Sequence, residues 1–147
     1  MEITYFIQEA LGTLFSEGPL SDCFVVEIVP NGRRGITVYF DSDSGVTLEK
    51  CAQVSRFLEK RLDEQEFQGG EYVLDVSSPG VGRPLTLWRQ YPRQKGRNLS
   101  VLMKEGSAVE GKLTEVNMES ITLETTDAGS VDIPFDEISE SFVQISF

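Results

Sequence analysis

Six cations and no carboxylate lie between Val76 and Lys104: Arg83, Arg89, Arg93, Lys95, Arg97 and Lys104. The whole chain of 147 residues holds 13 basic residues against 24 acidic ones, a formal net charge of −11. A positive stretch of this kind engages phosphates or an acidic patch, while the negative total suppresses indiscriminate coating of nucleic acid. Trp88 and Tyr91 sit among the cations, where a ring can stack on a base and an arginine can clamp a phosphate. A plainer reading stays open beside this one. Arg83 and Arg89 could form ordinary salt bridges with Asp75 or other acids of the first half, and Trp88 could plug a gap between two folding units.

Immediately upstream, Ser77-Ser78-Pro79-Gly80-Val81-Gly82-Arg83-Pro84 sets glycines beside hydroxyls and an arginine. Exposed backbone N–H groups in such a loop can cradle an anion. It is not a P-loop, because no Gly-Lys-Ser/Thr closes it. Two prolines that fix φ suit a rigid hinge equally well. A nucleophilic Ser77 or Ser78 needs a base; the chain has no histidine, and nothing in the sequence positions a lysine for the task. The expectation is therefore a protein that is not an enzyme, with no catalytic residue and no cofactor. The loop Asp41-Ser42-Asp43-Ser44-Gly45 looks like the start of a calcium loop, but its twelfth position is Ala52 where a bidentate Glu is needed. Asp63, Glu64 and Glu66 read as a solvated helix end, and no metal site is expected.

The elements that must position these residues fall into two groups. Ile3, Phe6, Ile7, Ala10, Leu11, Leu14 and Phe15 recur at helical spacing and predict an amphipathic helix that Gly18-Pro19 stops. Phe24 to Val29 and Ile36 to Phe40 flank Asn31-Gly32-Arg33-Arg34-Gly35 and predict a hairpin with a basic tip. Leu48, Cys51, Val54, Leu58 and Leu62 mark a second helix to about Gln65, with Thr47 as its N-cap, and Cys51 reads as a small core hydrophobe. Tyr72 to Val76 predicts a third strand. The first unit is thus α-β-β-α-β, with the second helix crossing over one sheet face. After a short helical stretch at Leu85 to Tyr91 come only strands: Asn98 to Lys104, Ala108 to Glu115, Ser120 to Thr125, Ser130 to Pro134 and Ser141 to Phe147. Five short strands in so few residues predict a small closed β-barrel, with Gly111 marking a bend. The expected fold class is α+β, with domains at 1–83 and 84–147.

Composition narrows the rest. At 39% hydrophobic and 25% charged residues, the chain is neither a disordered tail nor a membrane protein. Its longest apolar run is four residues, Cys23 to Val26, against the roughly 20 that a spanning helix needs. Glu2 and the lack of any basic residue before Arg33 argue against a signal peptide. Cys23 and Cys51 are too few for a disulfide framework or zinc cluster, which suits a reducing cytoplasm.

The run Tyr72-Val73-Leu74-Asp75-Val76-Ser77-Ser78-Pro79-Gly80-Val81-Gly82-Arg83-Pro84-Leu85 resembles the central signature of the bacterial ribosome maturation factor P family. Val38-Tyr39-Phe40-Asp41, Gly45-Val46-Thr47-Leu48, Cys51, Val54-Ser55-Arg56 and Gly96-Arg97 match it in order and spacing. The resemblance implies an α/β domain followed by an Sm-like five-stranded barrel. It implies a monomeric, cytoplasmic, non-enzymatic factor for assembly of the small (30S) ribosomal subunit. Such a factor would bind the precursor particle, its rRNA and ribosomal protein twelve of the small subunit. The family's joint motif falls on Ser77, Ser78, Pro79, Gly80, Arg83 and Pro84. Arg83, Arg89, Arg93, Lys95 and Arg97 are the residues expected to meet RNA. The chain departs from the family pattern at Gly82, where Asp is frequent, and in Phe135 to Ser141, which lacks a basic residue. The second unit carries 6 basic and 10 acidic residues from Pro84 onward, a balance that suits a basic ribosomal protein. The alternative is an Sm-like RNA-binding module unconnected with ribosome assembly.

Overall fold

The structure, a computed structural model, describes residues 2–80 and 83–144. By its internal packing the chain divides into two compact units, Met1–Pro79 and Gly80–Phe147.

The first unit runs α1 (Ile3–Leu14), β1 (Cys23–Asn31), β2 (Gly35–Ser42), α2 (Leu48–Glu64) and β3 (Val73–Ser77). The Glu2 carboxylate opens α1 by accepting from the Tyr5 N–H at 2.7 Å, and Thr47 Oγ1 opens α2 by accepting from the Lys50 N–H at 3.1 Å. β1 and β2 pair antiparallel, and β3 joins β2 in parallel with Gly35 opposite Val73. A parallel neighbour needs a crossover, and α2 supplies it. Ile36, Val38 and Phe40 alternate along β2 and are buried, in one cluster with Ile7 and Leu11 of α1 and Val54 and Leu58 of α2. Both helices therefore cover the same sheet face.

The loop read as a near miss for calcium is organised from within. Asp22, just before β1, accepts hydrogen bonds from the Ser42 hydroxyl at 3.0 Å, the Ser44 N–H at 3.0 Å and the Ser44 hydroxyl. Lys50 closes the ring by donating to Ser42 Oγ, Ser44 Oγ and the Gly45 carbonyl. Hydrogen bonding from Ser44 is the chief reason that the Asp22 carboxyl drops from 3.8 to about 2. Among the described residues no group of His, Cys, Asp and Glu is placed to hold a metal ion.

The second unit carries β4 (Asn98–Met103), β5 (Ala108–Val116), β6 (Ser120–Thr125), β7 (Gly129–Pro134) and β8 (Ile138–Val143). They form one antiparallel sheet in the order β7-β6-β5-β4-β8. Leu99, Val101, Leu113, Ile121, Leu123, Ile133 and Val143 are its buried core. A Cβ at Gly111 would stand 2.7 Å from the Glu124 carbonyl oxygen, so only glycine lets β6 approach β5 this closely.

Three expectations need correction. The sheet is not a closed barrel: β7 and β8 are its two edges, and no ladder joins them among the described residues. Phe135–Glu137 forms a 3-10 turn between them instead of a hairpin, and Leu85 occupies part of the outer edge of β8, donating its N–H to the Ser141 carbonyl at 2.7 Å. The last strand begins at Ile138, three residues before the expected Ser141, because a bulge at its pairing with β4 moves the register. Its expected end lies outside the described residues. The helical stretch at Leu85 to Tyr91 is shorter than expected: it holds one 3-10 turn, Trp88–Gln90, and a second, Pro92–Gln94, follows it, since Pro92 cannot continue an α-helix.

Candidate functional site

All six cations of the basic segment belong to the second unit, where hydrogen bonds of uncharged groups strap it to the sheet. At one end the Gln144 N–H donates to the Asn98 carbonyl at 2.9 Å. That makes Ser100 and Phe142 the next bonded pair and turns the Ser141 carbonyl outward, toward Leu85. The Tyr91 hydroxyl donates to Ser141 Oγ at 2.9 Å, and the Tyr91 ring meets Phe135 edge-on at 5.0 Å between centroids. Between these anchors, Gln90 Oε1 accepts from the N–H groups of Thr86 and Leu87, each at 2.9 Å. At the other end the Gly96 N–H donates to the Leu113 carbonyl at 2.8 Å, and the Leu113 N–H to the Arg97 carbonyl at 2.9 Å. Gly96 takes φ +89, a conformation that favours glycine.

On this strap Arg93, Lys95 and Arg97 are exposed, while Arg83 and Arg89 are half-buried. Trp88 is 42% exposed. Tyr91, read from the sequence as a second stacking ring, is only 3% exposed. Burial lifts its hydroxyl above the usual tyrosine range, with the Ser141 bond pulling the other way. It is an anchor, and no base can reach it. The joint motif divides between the units. Ser77, exposed at the end of β3, donates to the Ser78 carbonyl at 3.1 Å. Ser78, Pro79 and Pro84 are half-buried, and Gly80 is exposed with φ +65. Val81 and Gly82, the middle of the loop that reads equally as an anion cradle or a hinge, lie outside the described residues.

Sequence reasoning missed a cleft of about 530 Å³ between the strap and the start of β8. Leu87, Trp88, Met118, Phe135, Ile138 and Glu140 are among its walls. The available signal was apolar residues in turns: Leu87 and Met118 belong to no strand or α-helix, and Phe135 opens a 3-10 turn. It also missed Gln90 and Ser141, whose side chains hold the cations in place.

An α-β-β-α-β unit followed by an open antiparallel sheet that carries a strapped basic segment defines a two-unit α+β protein. No helix among the described residues is long and apolar enough to cross a membrane. Residues 17–82 match the RimP N-terminal domain. The ribosome maturation factor RimP of Cytophaga hutchinsonii is 38% identical over 107 residues, which cover 70% of this chain and 64% of that relative. Both matches support the RimP family, and this chain spans under two thirds of that relative's length.

Proposed function

We propose that this chain is a cytoplasmic, non-enzymatic maturation factor for the small (30S) ribosomal subunit. It binds the precursor particle as a monomer. Arg83, Arg89, Arg93, Lys95 and Arg97 meet rRNA phosphates, and Ser77, Ser78, Pro79, Gly80 and Pro84 form the joint that leads into them. The acidic strands meet a basic small-subunit protein, ribosomal protein twelve on the family resemblance. The match to the RimP N-terminal domain supports the process, and the relative from Cytophaga hutchinsonii carries the name of a ribosome maturation factor. The observation that carries the surface assignment is the placement of Arg93, Lys95 and Arg97, all exposed on a segment bonded to the sheet at Ser141 and Leu113. Cations held in register lose little freedom on binding phosphate.

These three residues are exposed, so reversing them tests binding, with circular dichroism to check that the fold is kept. The variant Arg93→Glu, Lys95→Glu, Arg97→Glu is expected to bind immature small subunits about a hundredfold more weakly. Its salt dependence should be shallower by about two to three in log–log slope, one increment per lost phosphate contact. Unchanged affinity and unchanged slope would remove the RNA surface from the assignment.

A further inference from the structure

The geometry points to the cleft beside β8 as the docking site for an extended segment of a basic protein, one apolar side chain seated in the cleft and Lys or Arg flanking it. This rests on the reading of the acidic strands as a protein-binding face and gives that face an address. Leu87, Trp88 and Met118 are 37%, 42% and 71% exposed, and they share one concavity with Phe135 and Ile138. Large apolar side chains gathered in a hollow mark a binding site, whereas the same residues scattered singly would not. The hollow is also built to persist. Gln90 fixes Leu87 at the backbone, and Tyr91, locked to Ser141, backs Phe135.

Charge decides the occupant. Glu140 stands in the wall, and Asp136 and Glu137 are exposed on the turn that leads into β8. From Leu113 to the end of the chain there are eight acidic residues and no Lys or Arg. On the β8 side of the cleft a nucleic-acid backbone would meet these carboxylates with like charge, while lysine and arginine side chains would be drawn to them. Met118 and Ile138 are aliphatic and suit an apolar plug better than a stacked base. The partner's apolar residue is the anchor, and the flanking cations set its direction along the cleft.

Trp88 is the only tryptophan in the chain, so its emission reports the cleft directly. The probe is a synthetic ten-residue peptide with Leu between Lys and Arg residues, titrated into the full-length chain. The expected result is a saturable blue shift as Trp88 leaves water. Met118→Glu and Glu140→Lys, both at exposed positions, should each weaken the peptide at least tenfold with unchanged circular dichroism. A peptide with Ser for Leu, or with Glu for its cations, should not saturate. An absent shift, equal binding by Glu140→Lys, or displacement of the peptide by a single-stranded oligoribonucleotide would overturn the proposal. The Arg93, Lys95, Arg97 reversal keeps its peptide affinity if the cleft is a separate surface. If that variant loses the ribosomal particle while the wild-type chain ignores the peptide, the maturation reading stands and the cleft assignment falls.

Discussion

The two units hold their loops by different chemistry. In the first, ionised groups close the structure: Asp22 and Lys50 share Ser42 and Ser44, and Arg34 pairs with Glu71. In the second, the strap is held by a tyrosine and a serine hydroxyl, a glutamine amide and backbone groups. Neutral bonds such as Tyr91–Ser141 do not change with pH between 4 and 8. Charged bonds answer to pH where a hydrogen-bonded carboxylate holds them, as at Asp22, and to salt where the pair is exposed, as at Arg34–Glu71. The fold allows each half to be watched separately. Among the described residues both α-helices lie in the first unit and Trp88 lies in the second, so helical circular dichroism follows one and tryptophan emission the other.

The largest expected effect comes from breaking the neutral clamp. Ser141→Ala leaves the buried Tyr91 hydroxyl without its partner, which costs about 1–3 kcal/mol. Urea unfolding followed by Trp88 emission should show the loss. Adding Tyr91→Phe should recover part of it, because the orphaned hydroxyl goes too. Neither group titrates between pH 4 and 8, since burial moves the Tyr91 hydroxyl further upward, so the loss should be constant across that range. A loss that varied with pH would mean that charge holds the strap after all.

Next comes the charged ring of the first unit. The folded Asp22 carboxyl titrates at about 2 against an ordinary 3.8. The folded state therefore prefers the ionised form. Its stabilisation is complete above about pH 4 and disappears as pH falls toward 2. Asp22→Asn should flatten the pH dependence of the helical transition in that window. At pH 7 it should lower stability by no more than about 1 kcal/mol, because solvent screens a partly exposed group. Urea midpoints at pH 2, 3, 4 and 7 test this. An equally steep loss in the variant would show that other carboxylates control acid unfolding, and the contrast between the units would lose its sharpest support.

Much of this was legible in the sequence because it rests on periodicity. The stripe from Ile3 to Phe15 and the alternation at Ile36, Val38 and Phe40 name the α-β-β-α-β order, since one apolar face must meet another. The cationic run was equally plain, because charge is additive along a chain. What stayed hidden depends on which groups meet in space. Strand count cannot tell a closed sheet from an open one, for closure turns on whether β7 or Leu85 takes the outer edge of β8. Tyr91 reads as a stacking ring until Ser141, fifty positions away, is seen to hold it. The cleft is assembled from three separate turns, each with too few residues to form a pattern.

The smallest effect is expected at the hairpin tip, where Arg34 and Glu71 form an ion pair with side chains 59% and 73% exposed. The Val73 N–H already donates to the Arg34 carbonyl at 2.8 Å, and the parallel ladder then runs from Gly35–Val73 to Tyr39–Ser77. The register of β3 is therefore fixed by the main chain before the side chains meet. A double-mutant cycle with Arg34→Ala and Glu71→Ala should give a coupling of about 0.5 kcal/mol. That coupling should vanish in 1 M salt, where the screening length shrinks to about 3 Å. The Asp22 ring, where Ser42 and Ser44 give three hydrogen bonds to one carboxylate, should keep most of its contribution under the same salt. A coupling above about 1.5 kcal/mol, or one indifferent to salt, would mean that the pair sets the strand register. Charge would then determine where the first unit's chain runs as well as tightening its loops.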